Sequence, residues 1–183
     1  MARPIQLYDT TLRDGAQRAG ISFSVDDKLK ISRCLDELGI HFIEGGWPGS
    51  NPKDAEFFLK ARNLRLSQAR VVPFGSTRRP NTAAINDANL HALLETGASI
   101  FTLVGKSWDL HVEKLLQTTL EENLGMIADS IRFLKDQGKA VFFDAEHFFD
   151  GCKNNSTYAL KTVEAAAAAG ADCVVLCDTN GGA

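Results

Sequence analysis

Leu7-Tyr8-Asp9-Thr10-Thr11-Leu12-Arg13-Asp14-Gly15-Ala16-Gln17 sets acids, a guanidinium and an amide directly behind a short apolar run. In parallel-sheet proteins the residues past the carboxyl end of a strand face the substrate, while the strand body packs. The stretch therefore reads as the end of a first strand followed by a site loop, with Arg13 and Asp14 as the first candidate site residues.

Working outward from that loop, apolar β-branched runs open near Ile5, Phe42, Val71, Ile100, Val141 and Cys173, 29 to 41 residues apart. A strand and a helix together need about that much chain, and near-continuous apolar strands are what a parallel sheet covered on both faces requires. Ser24 is placed to cap a first helix carrying Leu29, Ile31, Leu35 and Leu38 and stopping at Gly39, its apolar stripe facing a sheet. Pro52 suits the first turn of a second helix through Phe57, Phe58 and Leu59. Further helical patterns run from Ala88 to Thr96, from about Leu120 to Gln137 and from about Thr157 to Ala169, each closed by a glycine. Asp150-Gly151 reads as a turn.

Strands and helices in strict alternation fit a doubly wound α/β sheet or part of a TIM (β/α)8 barrel. Polar groups gather after almost every strand: Asp9 to Gln17, Glu44, Ser76 to Arg79, Lys106, Asp144 with Glu146, and Asp178 with Thr179 and Asn180. A ring of strand ends converging on one site accounts for that better than a single crevice, so the barrel is expected. Such barrels run to about 250 residues, against 183 here. Residues 1–183 are therefore expected to be the N-terminal part of a catalytic barrel, truncated after its sixth strand. An open sheet of this kind would tend to pair with a second copy, and a homodimer is expected.

A formal charge of −3 provides no basic field for nucleic acid or an anionic membrane surface, and no apolar run is long enough to span a bilayer. Met1-Ala2-Arg3-Pro4 carries no apolar signal core, so a cytoplasmic location is expected. Cys34, Cys152, Cys173 and Cys177 show no CxxC spacing and read as reduced packing residues rather than zinc ligands.

Three constellations carry chemistry. A carboxylate at Asp14 suits a hard divalent cation, and the guanidinium of Arg13 suits a substrate oxygen; the same two residues also read as a structural loop ion pair. Asp144 and Glu146 lie on one side of a strand by alternation and suit a general base or a grip on a substrate hydroxyl, or else a cap for the next helix. His147 alternates away from them and reads as structural. In Asp178-Thr179-Asn180-Gly181-Gly182 the threonine hydroxyl suits a substrate carboxylate, and the composition equally suits a plain turn. Gly105-Lys106-Ser107 lacks the first glycine of a phosphate-binding loop, and Gly45 to Ser50 lacks the G-x-G-x-x-G spacing; the latter reads as a tight loop shaping a site mouth.

Tyr8 to Gln17, YDTTLRDGAQ, resembles the signature of the α-isopropylmalate, homocitrate and citramalate synthases of the DRE-TIM metallolyase group. EGGWPGSNPKDAEFF at Glu44 to Phe58, GKSWDLHV at Gly105 to Val112 and LCDTNGG at Leu176 to Gly182 resemble the citramalate-synthase type. The resemblance implies condensation of acetyl-CoA with an α-keto acid, here pyruvate, to give (R)-citramalate and CoA on the way to isoleucine. It implies a divalent metal, Mg²⁺ or Mn²⁺ with Zn²⁺ as a further choice, held in part by Asp14. Arg13 would stabilise the keto oxygen, Glu146 would help order substrate and proton transfer, Thr179 would contact the keto-acid carboxylate, and Gln17 would lie beside the metal. The family's His-x-His metal pair has no counterpart by spacing in His41, His91, His111 or His147. The alternatives are a synthase for another keto acid or a related lyase and, in a different class, a non-catalytic truncated barrel that self-associates.

Overall fold

The computed structural model describes residues 5–183, so Met1-Ala2-Arg3-Pro4 and the signal-core expectation lie outside the described residues. The chain divides into two compact units, one of residues up to Phe74 with Ala92–Ile100, the other of Gly75–His91 with Phe101–Ala183.

In the first unit β1 (Tyr8–Asp9), β2 (Phe42–Gly46) and the opening of β3 (Arg70–Ser76) pair in parallel, with Tyr8 beside Phe42 and Ile43 beside Val71. The register slips between Glu44 and Gly46, where Gly45 is the extra residue of a bulge. β1 is shorter than the run at Ile5 implied, because Ile5 and Leu7 are exposed and apolar character there reflects no burial. Helix α1 (Val25–Glu37) opens on Ser24, whose hydroxyl accepts the Asp27 N–H while the Asp27 carboxylate accepts the Ser24 N–H, a reciprocal cap. Its buried stripe is Val25, Lys28, Ser32 and Asp36, not the leucine stripe. Leu29, Ile31 and Leu35 only flank the core of Leu12, Ile43, Phe57 and Phe58, and Leu38 is exposed. Three of the four buried positions are polar because each has a partner: the Ser32 hydroxyl donates to the Lys28 carbonyl at 2.8 Å, and the partners of Lys28 and Asp36 are described below. Helix α2 (Pro52–Ala61) starts at proline behind Asn51, whose side chain accepts the Lys53 N–H at 3.0 Å.

The second unit carries on from the last residues of β3 to β4 (Ile100–Lys106), where the Thr77 N–H donates to the Val104 carbonyl. β5 (Ala140–Glu146) and β6 (Cys173–Leu176) follow, parallel, with Phe142 beside Cys173 and Ala145 beside Leu176. Each strand lies beside the one before it, the order of a β/α barrel; a doubly wound sheet would reverse after its first strands. Helix α3 (Ala88–Glu95) lies between β3 and β4 in the chain. After β4 come α4 (Asp109–His111) and a π-helical turn over Val112–Leu116, neither marked in the sequence by a periodic pattern. Helix α5 (Leu120–Asp136) is capped by Thr119 and buries Met126, Ile127, Ile131 and Leu134.

Helix α6 (Phe148–Ala168) begins well before the expected Thr157. Asn155 leaves helical geometry at φ −146°, ψ 79°, and its side chain accepts the Tyr158 N–H at 3.1 Å, so it caps a second helix inside the first. The sequence pattern marked only that second half. Asp150-Gly151 is helical rather than a turn, because Gly151 lies against the Ser107 carbonyl, too close for a Cβ. The packing expectation fails for Cys34, which is exposed on α1; in β6, the last strand of the given sequence, Cys173 and Leu176 are exposed as well.

Candidate functional site

The loop after β1 is built by hydrogen bonds to its own first residues. Asp9 accepts from the Thr11 N–H and hydroxyl, and the Thr10 carbonyl accepts from both Arg13 and Gly15 N–H at 3.1 Å. Leu12 is wholly buried and pins the loop to the core. Arg13 is thereby turned onto Glu44 of β2: Nε donates to Glu44 Oε1 at 2.5 Å, and the guanidinium lies 3.9 Å from the centroid of Phe74. The Tyr8 hydroxyl donates to the other Glu44 oxygen at 2.6 Å. Glu44 has no exposed surface, and burial pushes its pKa up, against the opposing charge of Arg13 and the bonds from Tyr8 and Arg13. Arg13 Nη1 also reaches Asp14 at 3.4 Å, a weak contact beside a side chain that is 65% exposed. The loop ion-pair reading of Arg13 and Asp14 is thus present but secondary to Glu44. Gln17 is exposed, in a single 3₁₀ turn from Gly15.

A buried ion pair supports this half. Lys28 donates to the Gly45 carbonyl at 2.9 Å and to Asp54 at 2.5 Å, and the other Asp54 oxygen accepts the Trp47 N–H at 2.9 Å. Gly46 takes φ +142° hard against the Asp54 carboxylate, so only glycine fits. Arg13, Gln17, Lys28, Trp47 and Asp54 all line one cavity of about 200 Å³. The expectation that Gly45 to Ser50 shapes a site mouth agrees with Trp47 and Ser50 lining that cavity. Neither Lys28 nor Asp54 stood out in sequence; the one signal was a lysine in register with Val25 and Ser32 on the inward stripe of α1.

In the second unit Glu146 at the end of β5 pairs with Lys106 at the end of β4, both side chains about a quarter exposed. The Ser107 N–H donates to the Glu146 carbonyl at 3.2 Å, so the two strand ends are tied through backbone as well. Asp144 is half-buried two residues earlier, on the same side of β5 as Glu146, as alternation requires. Among the described residues the Glu146 carboxylate pairs with Lys106 and caps no helix. His147 takes left-handed backbone, φ +53°, which costs an L-residue about 1–2 kcal/mol. Its N–H donates to Thr179 Oγ1 at 2.9 Å, and its Nδ1 lies 2.8 Å from Asp150. Its ring meets His111 edge-on at 4.6 Å, and Trp108 lies 5.7 Å away. Burial, then the charges of His147 and Lys106, push the His111 pKa down. Thr179 is exposed, and Asp178 beside it accepts the Gly182 and Ala183 N–H groups, so the turn reading holds for Asp178.

Other strand-end polar groups are tied into the packing. Arg78 is buried and clamped by Glu122 at 2.6 Å and Asp129 at 2.9 Å, a structural tie. Asn123 bridges the Lys106 carbonyl and Tyr158, whose hydroxyl burial pushes up to about 12. Within the first unit Arg13, Asp14 and Gln17 share one loop, and within the second Asp144, Glu146 and Thr179 come from consecutive strand ends. Among the described residues no three His, Cys, Asp or Glu side chains form a metal-holding group. Asp14 alone offers one exposed carboxylate, so these residues do not by themselves make a metal site.

The model of one protein family, described as HMGL-like, matches residues 4–183. The chain belongs to the HMGL-like family. An (R)-citramalate synthase of Aquifex aeolicus is 54% identical over 182 residues, covering all of this chain and 34% of that enzyme. A 2-isopropylmalate synthase of Sulfurisphaera tokodaii is 33% identical over 180 residues, 98% of this chain and 44% of that enzyme. The HMGL-like chain described here thus spans about a third of the length of the citramalate synthase it matches. The solved structure of Bacillus subtilis HMG-CoA lyase superposes with a TM-score of 0.75 at 18% identity, over 100% of this chain and 61% of that one. That likeness shows the fold, the α/β barrel of this family, here with its first six strands.

Proposed function

We propose that this chain is the N-terminal part of an (R)-citramalate synthase, condensing acetyl-CoA with pyruvate to give (R)-citramalate and CoA. The observation that carries the reading is the gap in identity: 54% to a citramalate synthase against 33% to a 2-isopropylmalate synthase, each over nearly the whole chain. In the reaction the acetyl methyl group loses a proton, its carbon attacks the keto carbon, and the keto oxygen becomes an alkoxide; hydrolysis of the thioester then releases CoA.

Arg13 is the group for that oxygen. Glu44 and Phe74 hold its guanidinium still, so a positive donor stands ready where negative charge develops. Glu146, with Lys106 on it and solvent at hand, suits ordering of substrate and proton transfer, and Asp144 on the same side suits contact with substrate. Thr179 suits the keto-acid carboxylate. Gln17 and Asp14 share the Arg13 loop. A divalent cation, Mg²⁺ or Mn²⁺ with Zn²⁺ as a further choice, is the cofactor the family resemblance implies for the whole enzyme; Asp14 would be one ligand, and the cation would supply positive charge beside the keto oxygen.

The test is a thiol-release assay on the full-length protein with acetyl-CoA and a panel of pyruvate, 2-oxoisovalerate and 2-oxoglutarate. Pyruvate should be turned over with the highest kcat/KM. A preference for 2-oxoisovalerate or 2-oxoglutarate would move the assignment to a sister synthase, and cleavage without condensation would move it to a lyase.

A further inference from the structure

We propose that His147 is a positioning residue that fixes the Thr179 hydroxyl as a hydrogen-bond donor toward the keto-acid carboxylate, which rests on the reading of Thr179 given above. A hydroxyl has one proton and two acceptor sites. The His147 N–H, 2.9 Å away, fills one acceptor site of Thr179 Oγ1, and an N–H accepts nothing in return. The hydroxyl proton is thereby directed away from His147, and Thr179 stands exposed with no second side-chain hydrogen bond among the described residues. An incoming carboxylate, which accepts only, meets a donor already turned outward.

The N–H is in that place because His147 holds left-handed backbone at φ +53°, ψ 35°, a region that histidine, asparagine and aspartate adopt more readily than other residues besides glycine, and β-branched residues hardly at all. Three contacts hold the ring. Nδ1 lies 2.8 Å from Asp150 Oδ2, the His111 ring packs edge-on at 4.6 Å, and Trp108 lies 5.7 Å away. The same Asp150 oxygen accepts from Asn180 Nδ2 at 2.9 Å. Thr179 and Asn180 are therefore tied at two points to the start of α6, where the Gly151 N–H donates to the His147 carbonyl at 2.8 Å. This arrangement gives a task to Trp108 and His111 in the GKSWDLHV stretch, which the site itself leaves without one.

The experiment uses the full-length enzyme carrying His147→Val, His147→Asn, Thr179→Val and the His147→Val/Thr179→Val double change. KM and kcat are measured for pyruvate and for acetyl-CoA, with the unchanged enzyme as control for the activity. His147→Val, β-branched and poorly suited to positive φ, should raise the pyruvate KM about tenfold and leave the acetyl-CoA KM within about twofold. His147→Asn keeps the N–H and tolerates the backbone, and should return the pyruvate KM to within about threefold of the unchanged enzyme. In the Thr179→Val background, His147→Val should add nothing further. Equal losses for both substrates, or the same loss with and without Thr179, would overturn the role of His147. A Thr179→Val enzyme with an unchanged pyruvate KM would remove the Thr179 assignment and this role with it, whereas loss there but none at His147 removes this role alone. Should His147→Val fail to fold, His147→Ala carries the same comparison.

Discussion

The lysine–carboxylate pair Lys28–Asp54 of the first unit and the pair Lys106–Glu146 of the second differ in how far water reaches them. Lys28 and Asp54 are 3% and 9% exposed, and every polar atom described there is spent on a neighbour: the Gly45 carbonyl, the Trp47 N–H, each other. Lys106 and Glu146 keep about a quarter of their surface. The same chemistry is closed to water in one pair and open to it in the other. Residue type alone therefore cannot mark a site; the surroundings decide.

The contrast is most exposed to test at the buried pair. Lys28→Met should destabilise by about 3–5 kcal/mol in urea, since it leaves Asp54 buried without its counter-charge. A loss near 1 kcal/mol would mean that the pair is wetter than described. Arg13→Ala in the full-length enzyme should lower kcat by about 10²- to 10³-fold. Activity within a few-fold of the parent would remove Arg13 from the reaction. Lys106→Met should cost about 1 kcal/mol or less in the same urea experiment; a cost matching Lys28→Met would erase the distinction between the pairs.

The smallest effect is in pH. The N–H groups of Ser67, Ala69 and Gln68 hold the Asp36 pKa well below its usual range, so the unfolded chain binds that proton first. The stability Asp36 adds is present above about pH 4 and is lost as pH falls below it. His111 is also held low, so its contribution is lost earlier, as pH falls below about 6.5. The two tryptophans report separately, Trp47 in the first unit and Trp108, 4.7 Å from His111, in the second. Fluorescence of Trp108 in a Trp47→Phe variant should begin to change as pH falls below about 6.5, and that of Trp47 in a Trp108→Phe variant only below about pH 4. Coincident changes would show that the two groups do not titrate their own surroundings.

Much of the architecture was legible because strands, caps and closing glycines leave local marks: Ser24, Pro52, Gly39 and Gly138 stand where the pattern puts them. The Arg13 loop and the alternation of Asp144 with Glu146 were legible for the same reason. What was hidden depends on contacts between distant residues. Lys28 looks like a surface lysine until Asp54, 26 positions on, is folded over it. The partner of the His147 N–H, Thr179, lies 32 positions on. The first half of α6 hid behind Asp150-Gly151, a local turn signal overruled by packing.

Gly151 has a further consequence. Its α-carbon rests on the Ser107 carbonyl, and any side chain there would drive Ser107 and Trp108 aside. In a saturation survey scored by growth, position 151 should therefore tolerate nothing but glycine and look like part of the chemistry, although it offers no group to a substrate. Intolerance at that codon would record the distance between two backbones.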